Sequence, residues 1–365
     1  MSLKIYIIAG EASGDLHAAN LVRSLQSQRK DIICRGWGGD LMQEAGVEVV
    51  KHYRELAFMG FAEVMMNIGA ILKNFKRCKQ DILNFQPDIV LMVDYPGFNL
   101  RMAKWAKMNG FRTIHYISPT VWAWKESRVF TIKKYIDKLI AILPFEPDFY
   151  KKFDYEVDYF GNPLIDAIQA YRVKQIAKEL FLQQNKLSDR PIIAVLPGSR
   201  KQEIKKKLPL MLEAVSDFKA YQVVIAGAPG LDQAFYEPFL SKDVTWVTGK
   251  TYDVLSHAEF AVVTSGTATL ETALLKVPQV VCYKTSKLSY AIAKKLVRVK
   301  YISLVNLIMD QEVVRELIQD DCSPEKIRQT CLTIQRGGSE RDNMLRAYED
   351  LIGRLGQEAV SDKIA

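Results

Sequence analysis

Metal and disulfide chemistry have little to work with in this sequence. Its five cysteines (Cys34, Cys78, Cys282, Cys322 and Cys331) are scattered, odd in number and without a C-x-x-C pair. That points to a reducing compartment and away from a structural zinc site. The four histidines, His17, His52, His115 and His257, show no ligand spacing either. No apolar run approaches the roughly 18 residues that a membrane span needs. The opening Met-Ser-Leu-Lys leads straight into a strand-like segment with no signal-peptide architecture. A cytoplasmic protein is expected, with any membrane contact peripheral. Internal repeats and low-complexity tracts are missing. So is the dinucleotide fingerprint: the first glycine turn is spaced G-x-x-x-G, and where a ribose-binding acid should follow the chain reads Ile33-Cys34-Arg35. This disfavours a nicotinamide dehydrogenase.

What is present is an ordinary globular composition, with 48% hydrophobic and 25% charged residues, enough apolar mass for a self-sufficient core. At 365 residues the chain exceeds the size at which one core keeps growing, so two domains are expected. Fifty Lys and Arg against 42 Asp and Glu leave a charge of +8. That suits an anionic substrate or membrane surface and falls short of demanding nucleic acid.

The dominant rhythm is a short β-branched run, a Gly/Pro/Ser turn, then an amphipathic helix. Leu3–Ala9, Ile89–Val93, Thr113–Tyr116 and Lys138–Leu143 read as buried parallel strands in the first half. Ile192–Leu196, Gln222–Ala226, Phe260–Val263 and Gln279–Cys282 do so in the second. The rhythm lapses over 164–190, a polar, Gln/Lys-rich helical stretch ending in Leu-Ser-Asp-Arg-Pro. The expected architecture is therefore α/β: two doubly wound Rossmann-like domains, 1–170 and 171–345, with a helical tail over 346–365. Ligand is expected in a central cleft at the carboxyl ends of the strands.

Several motifs follow those strand ends, each with a bland alternative. Gly10-Glu11-Ala12-Ser13-Gly14-Asp15 is either a structural turn or a site offering backbone N–H groups, and its three polar side chains favour the site. Asp94 follows Ile89–Val93 as a turn residue or a general base. Trp122 and Trp124, in Ser118-Pro-Thr-Val-Trp-Ala-Trp124, pack a helix onto the sheet or line an acceptor groove. Pro197-Gly198-Ser199-Arg200 is a solvated loop or a diphosphate grip, with glycine for close approach, a hydroxyl donor and a planar guanidinium. Thr264-Ser265-Gly266-Thr267-Ala268-Thr269-Leu270-Glu271 carries more hydroxyls than N-capping requires. It reads as a phosphate cradle at a helix N-terminus, with Glu271 placed for ribose hydroxyls. Finally, Phe58, Met59 and Met66 are surplus to the helical stripe Phe61, Met65, Ile68, Leu72 and Phe75, and Lys73, Lys76, Arg77 and Lys79 follow. This is core packing or reversible membrane docking.

Taken in order, these segments resemble the lipid-A-disaccharide synthases, glycosyltransferases of the two-Rossmann-domain (GT-B) class. The matches are A-G-E-A-S-G-D at 9–15, D-x-P-x-F-N at 94–99 and S-P-T-V-W-A-W at 118–124. L-P-F-E at 143–146, G-N-P-L-I-D at 161–166 and L-P-G-S-R at 196–200 follow. The set closes with S-G-T-A-T-L-E at 265–271 and Tyr301-Ile-Ser-Leu304 with Asn306. The resemblance implies an inverting transfer from UDP-2,3-diacylglucosamine to 2,3-diacylglucosamine 1-phosphate. The products would be the β-1,6-linked disaccharide and UDP, formed at the inner face of the bacterial cytoplasmic membrane. It implies donor binding by Gly198, Ser199, Arg200, Ser265–Thr269, Glu271 and Asn306, and contact with anionic lipid; a homodimer is left open. One departure stands out. The family often carries an acid at the position of Gly97, so Asp94 becomes the expected base, with Glu11 in reserve. No D-x-D cluster accompanies the donor motifs, so neither a metal nor another cofactor is expected. The rivals are another UDP-sugar enzyme of the same fold, either a peptidoglycan-type transferase or an epimerase, and a basic membrane- or nucleic-acid-binding module.

Overall fold

A computed structural model describes residues 2–56, 68–228, 230–286, 290–291, 294, 299–356 and 358–365. The chain forms two compact units, Met1–Ala167 with Glu358–Ala365, and Ile168–Gln357.

The first unit is built on seven parallel strands: β1 (Leu3–Ala9), β2 (Ile32–Gly38), β3 (Glu48–His52), β4 (Ile89–Val93), β5 (Arg112–Tyr116), β6 (Lys138–Ala141) and β7 (Asp158–Tyr159). Their order is β3-β2-β1-β4-β5-β6-β7. In β1 the side chains alternate between two cores: Tyr6 and Ile8 join one cluster, while Ile5, Ile7 and Ala9 join another. Both faces of the sheet are thus buried, which is why its central strands read as unbroken apolar runs. The second unit has six parallel strands: β8 (Ile192–Leu196), β9 (Gln222–Gly227), β10 (Val244–Thr248), β11 (Ala258–Thr264), β12 (Gln279–Tyr283) and β13 (Arg315–Ile318). Their order is β10-β9-β8-β11-β12-β13. Both units are Rossmann-like. In each, strand order reverses between one central pair, β1 with β4 and β8 with β11, and ligands of such sheets bind outside the carboxyl ends at that reversal.

Five strands escape the apolar-run reading. β3, β7, β10 and β13 lie towards the sheet edges and carry charged or hydroxyl side chains, while β2 is interrupted by Arg35 and Gly36. A side chain at Gly36 would meet the Ile7 carbonyl at 1.9 Å, and the register with β3 shifts there. The glycine marks close backbone approach. The chain's end divides. The helix Arg341–Leu355 packs on the second unit, its Tyr348 hydroxyl accepting from Gln279 at 3.1 Å. The helix Val360–Ile364 belongs to the first, where Asp166 accepts from the backbone N–H groups of Val360 (2.6 Å) and Ser361 (2.8 Å). Among the described residues no helix is long and apolar enough to cross a membrane.

Asp15 is an internal cap. Its buried carboxylate accepts from the N–H groups of Gly39 (2.7 Å), Leu41 (3.1 Å) and Met42 (3.1 Å), satisfying the start of the helix Asp40–Glu44. Asp15→Ala should therefore cost roughly 2–4 kcal/mol of stability by denaturant unfolding, since orphaned buried donors cost about 1–3 kcal/mol each. A loss below about 0.5 kcal/mol would contradict this capping role.

Candidate functional site

At the reversal of the first sheet stand two carboxylates. Glu11 follows β1 as the N-cap residue of the helix Ala12–Gln28. Asp94 follows β4, and both it and Tyr95 sit in the left-handed region, each with φ 49°. Two successive non-glycine residues there are strained, and one side chain over-determines them. The fully buried Asn99 amide donates to the carbonyls of Asp94 (2.7 Å), Ile8 (3.2 Å) and Val93 (3.4 Å). It thereby ties the ends of β1 and β4 to the turn. The Asp94 N–H is bonded to the Tyr116 carbonyl at 3.0 Å. Gly10 is glycine because a side chain there would strike the Tyr95 ring at 2.4 Å. Burial, with repulsion from Glu11 added, pushes the Asp94 carboxyl up to about 6. Such a group is ionised at neutral pH and basic enough to take a proton. Gly97 is exposed, and a side chain placed there would meet nothing within 4 Å.

The aromatic loop of the same unit rests on the carboxylate that ends the L-P-F-E match, a residue to which the motif alone assigns no role. Glu146 is fully buried and accepts from Trp122 Nε1 (3.2 Å) and from the N–H groups of Ile142 and Leu143 (2.9 Å each). Burial raises it to about 7 against those donors. Trp122 also meets Phe145 edge-on at 4.9 Å. Trp124 stays exposed, under the Arg128 guanidinium at 4.7 Å. Phe58, Met59 and Met66 lie outside the described residues.

In the second unit, the loops after β8 and β11 flank the reversal. Gly198, at φ 104°, needs the conformational freedom of glycine, and a side chain there would touch Thr264 at 3.4 Å. Arg200, 62% exposed, pairs with Glu203 at 3.2 Å, and Glu203 lies 3.6 Å from the buried Lys207 ammonium. Gly266 and Thr267 are exposed at the N-terminus of the helix Thr267–Leu274. Ser265 donates to the Ile302 carbonyl at 2.9 Å, joining this loop to the segment 302–306. Not every expected donor ligand faces outward. Thr269 is buried, its hydroxyl bonded to the Gly266 carbonyl at 2.8 Å. Asn306 is buried too, and its amide is spent on Val313, Val314 and Glu316 at 2.8–2.9 Å. Glu316, unremarkable in the sequence, also accepts from the N–H groups of Ile302 and Ser303 at 2.9 Å. Thr269, Asn306 and Glu316 shape the loop from within. Glu271 accepts from the Tyr252 hydroxyl at 2.8 Å, and burial raises its carboxyl. Among the described residues, no three His, Cys, Asp or Glu side chains form a group that could hold a metal ion.

A family model described as lipid-A-disaccharide synthetase matches residues 5–363. The lipid-A-disaccharide synthases of Myxococcus xanthus and Syntrophus aciditrophicus are each 37% identical, over 99% of this chain and 96% of theirs. The chain belongs to the lipid-A-disaccharide synthetase family. Solved structures agree on the fold. A UDP-GlcNAc 2-epimerase from Neisseria meningitidis superposes with a TM-score of 0.71 at 14% identity, covering 99% of this chain and 98% of that one. The calicheamicin glycosyltransferase CalG4 gives 0.58 at 17% identity, over 100% and 97%. At such identities the likeness shows the GT-B fold alone. Membership of the synthetase family decides between the transferase and epimerase readings in favour of the transferase.

The two carboxylates make a direct test possible. An NMR titration should place the Asp94 midpoint near 6, and Glu11→Gln should move it down by removing the neighbouring charge. The sign for stability follows. Because folding raises this pKa, its contribution is present below the ordinary carboxylate range and lost as pH rises through about 6. A wild-type midpoint near 4 would contradict the burial and the repulsion.

Proposed function

We propose that this glycosyltransferase joins UDP-2,3-diacylglucosamine to 2,3-diacylglucosamine 1-phosphate by a single inverting displacement. The observation that carries the reading is the pairing of a raised carboxylate at one sheet reversal with phosphate-suited loops at the other. The acceptor's 6-hydroxyl attacks the anomeric carbon of the α-linked donor. Its oxygen forms the new C–O bond as the bond to the diphosphate breaks, and its proton passes to Asp94. Inversion gives the β-1,6 disaccharide, and UDP leaves with the bonding electron pair.

Each unit has its part. Asp94, ionised at neutral pH and kept basic by burial and by Glu11, supplies the base. Gly198, Ser199 and Arg200, with the backbone N–H groups at Gly266 to Ala268, take the charge that grows on the diphosphate. Glu271 accepts from the ribose. Arg200 meets only a modest rival in Glu203, because an exposed ion pair contributes little. Trp122 and Trp124 line the acceptor's approach.

Because both substrates are acylated, work at a bilayer surface avoids extraction costs of about 0.8 kcal/mol per exposed CH₂. The segment 58–77 suits that contact. In its described part, Phe75 stacks on Phe98 at 4.2 Å and serves the core, whereas Leu72 is 63% exposed beside Lys73 and Lys76. Each such cation adds about 1 kcal/mol against anionic lipid.

Mass spectrometry of a reaction with both acylated substrates should show the disaccharide 1-phosphate and UDP, at an undiminished rate in EDTA. Equal turnover of a non-acylated UDP-sugar, or complete loss of rate in EDTA, would count against the proposal. By calorimetry, Arg200→Ala should weaken UDP binding roughly 10- to 100-fold, the range of a lost charged hydrogen bond. Wild-type affinity in that variant would move the diphosphate elsewhere.

The membrane contact has its own test. Flotation with anionic vesicles should be salt-sensitive and should weaken in a folded Met59→Ser, Met66→Ser double variant. If that variant floats as well as wild type, the segment is core packing.

A further inference from the structure

We propose that Tyr252 is a positioning residue for nucleotide selection, aiming Glu271 at the ribose; this rests on the reading of Glu271 as the ribose ligand. Glu271 lies in the first turns of the helix Thr267–Leu274, largely withdrawn from water. A carboxylate in that setting has two escapes from its desolvation cost. It can take up a proton, or it can rotate towards solvent. The Tyr252 hydroxyl closes both. Its hydrogen bond to Oε1 at 2.8 Å favours the ionised form and sets the plane of the carboxylate. Only one oxygen is used this way. Oε2 makes no hydrogen bond to any described residue, so an acceptor of defined direction remains for a hydroxyl pair.

Tyr252 is itself braced. Its ring meets that of Tyr171 edge-on at 5.4 Å, and the Tyr171 hydroxyl donates to Asp253, the next residue in the helix Thr251–Ser256, at 3.0 Å. Tyr171 sits on the helix Leu164–Lys174, which carries the chain from the first unit into the second. The tyrosine that orients Glu271 is therefore held by the connecting helix. The hydroxyl of one tyrosine is directed to Glu271 and that of the other to Asp253, so the pair governs recognition of the nucleoside and leaves the diphosphate grip alone.

The chemistry that separates this role from plain packing is the difference between UDP and 2′,3′-dideoxy-UDP. The dideoxy compound keeps the base and diphosphate and offers Glu271 nothing. Calorimetry on the full chain should show wild type preferring UDP at least ten-fold. Tyr252→Phe, which keeps the ring against Tyr171, should reduce that preference to about two- to three-fold. It should do so by weakening UDP while leaving dideoxy-UDP unchanged. Glu271→Gln, which can still accept from Tyr252, should reduce the preference as well. Three results would overturn the proposal. If Tyr252→Phe keeps the full preference, the hydroxyl does not position Glu271, and the ribose reading survives only if Glu271→Gln loses it. If Tyr252→Phe weakens both ligands equally, the residue is structural. If wild type shows no preference, Glu271 is not the ribose ligand and both readings fall together.

Discussion

A parallel sheet wound outward in both directions leaves one place at its carboxyl edge where the connecting helices part, and both candidate sites depend on such a place. Glu11 and Asp94 close β1 and β4; Gly198–Arg200 and Ser265–Thr267 follow β8 and β11. The strands themselves are specified by little more than bulk and β-branching. Their ends demand more, because each must turn sharply without burying unpaired backbone. Asn99 meets that demand in the first unit, where its amide gathers three carbonyls from the ends of β1 and β4. In the second, Glu316 holds the adjacent N–H groups of Ile302 and Ser303, and Ser265, just after β11, is bonded to the Ile302 carbonyl. The candidate site residues stand beside those clamps.

The two sites are electrostatic opposites. In the first unit, burial and then a second carboxylate raise Asp94 to about 6, a value suited to a group that must be ionised before reaction and protonated during it. In the second, the proposed grip on the diphosphate is the exposed Arg200 guanidinium and the N–H groups at the start of the helix Thr267–Leu274, suited to charge that grows as a bond breaks. Opposite polarities suit a displacement in which a proton leaves one partner while charge accumulates on the other.

Much of this was legible from residue order. The central strands, the strand-end motifs and the two-domain plan were all readable, because parallel strands buried on both faces and glycine-hydroxyl turns carry local signals. Part of what was not legible depends on long sequence separation. Asp15 looked like part of a site and caps a helix whose N-cap residue, Gly39, lies 24 residues on. Tyr252 orients Glu271 from another helix, and Glu146 supports Trp122 from beneath. Thr269 and Asn306 sit inside their motifs yet point inward, a distinction that hydroxyl and amide chemistry alone does not reveal. The outer strands were hidden by the charged and hydroxyl residues they carry at the sheet edges. Gly97 shows the converse: the family resemblance marks it as a departure, and the structure adds that the space beside it is open.

The central claim is a division of labour, with proton removal in the first unit and diphosphate capture in the second. It is tested most directly by measuring kcat and UDP affinity side by side in Asp94→Asn. The account expects kcat to fall by roughly 100-fold or more, the scale of general-base catalysis, with UDP affinity within about two-fold of wild type. An unchanged kcat, or a loss of UDP affinity that matches the loss of rate, would contradict it.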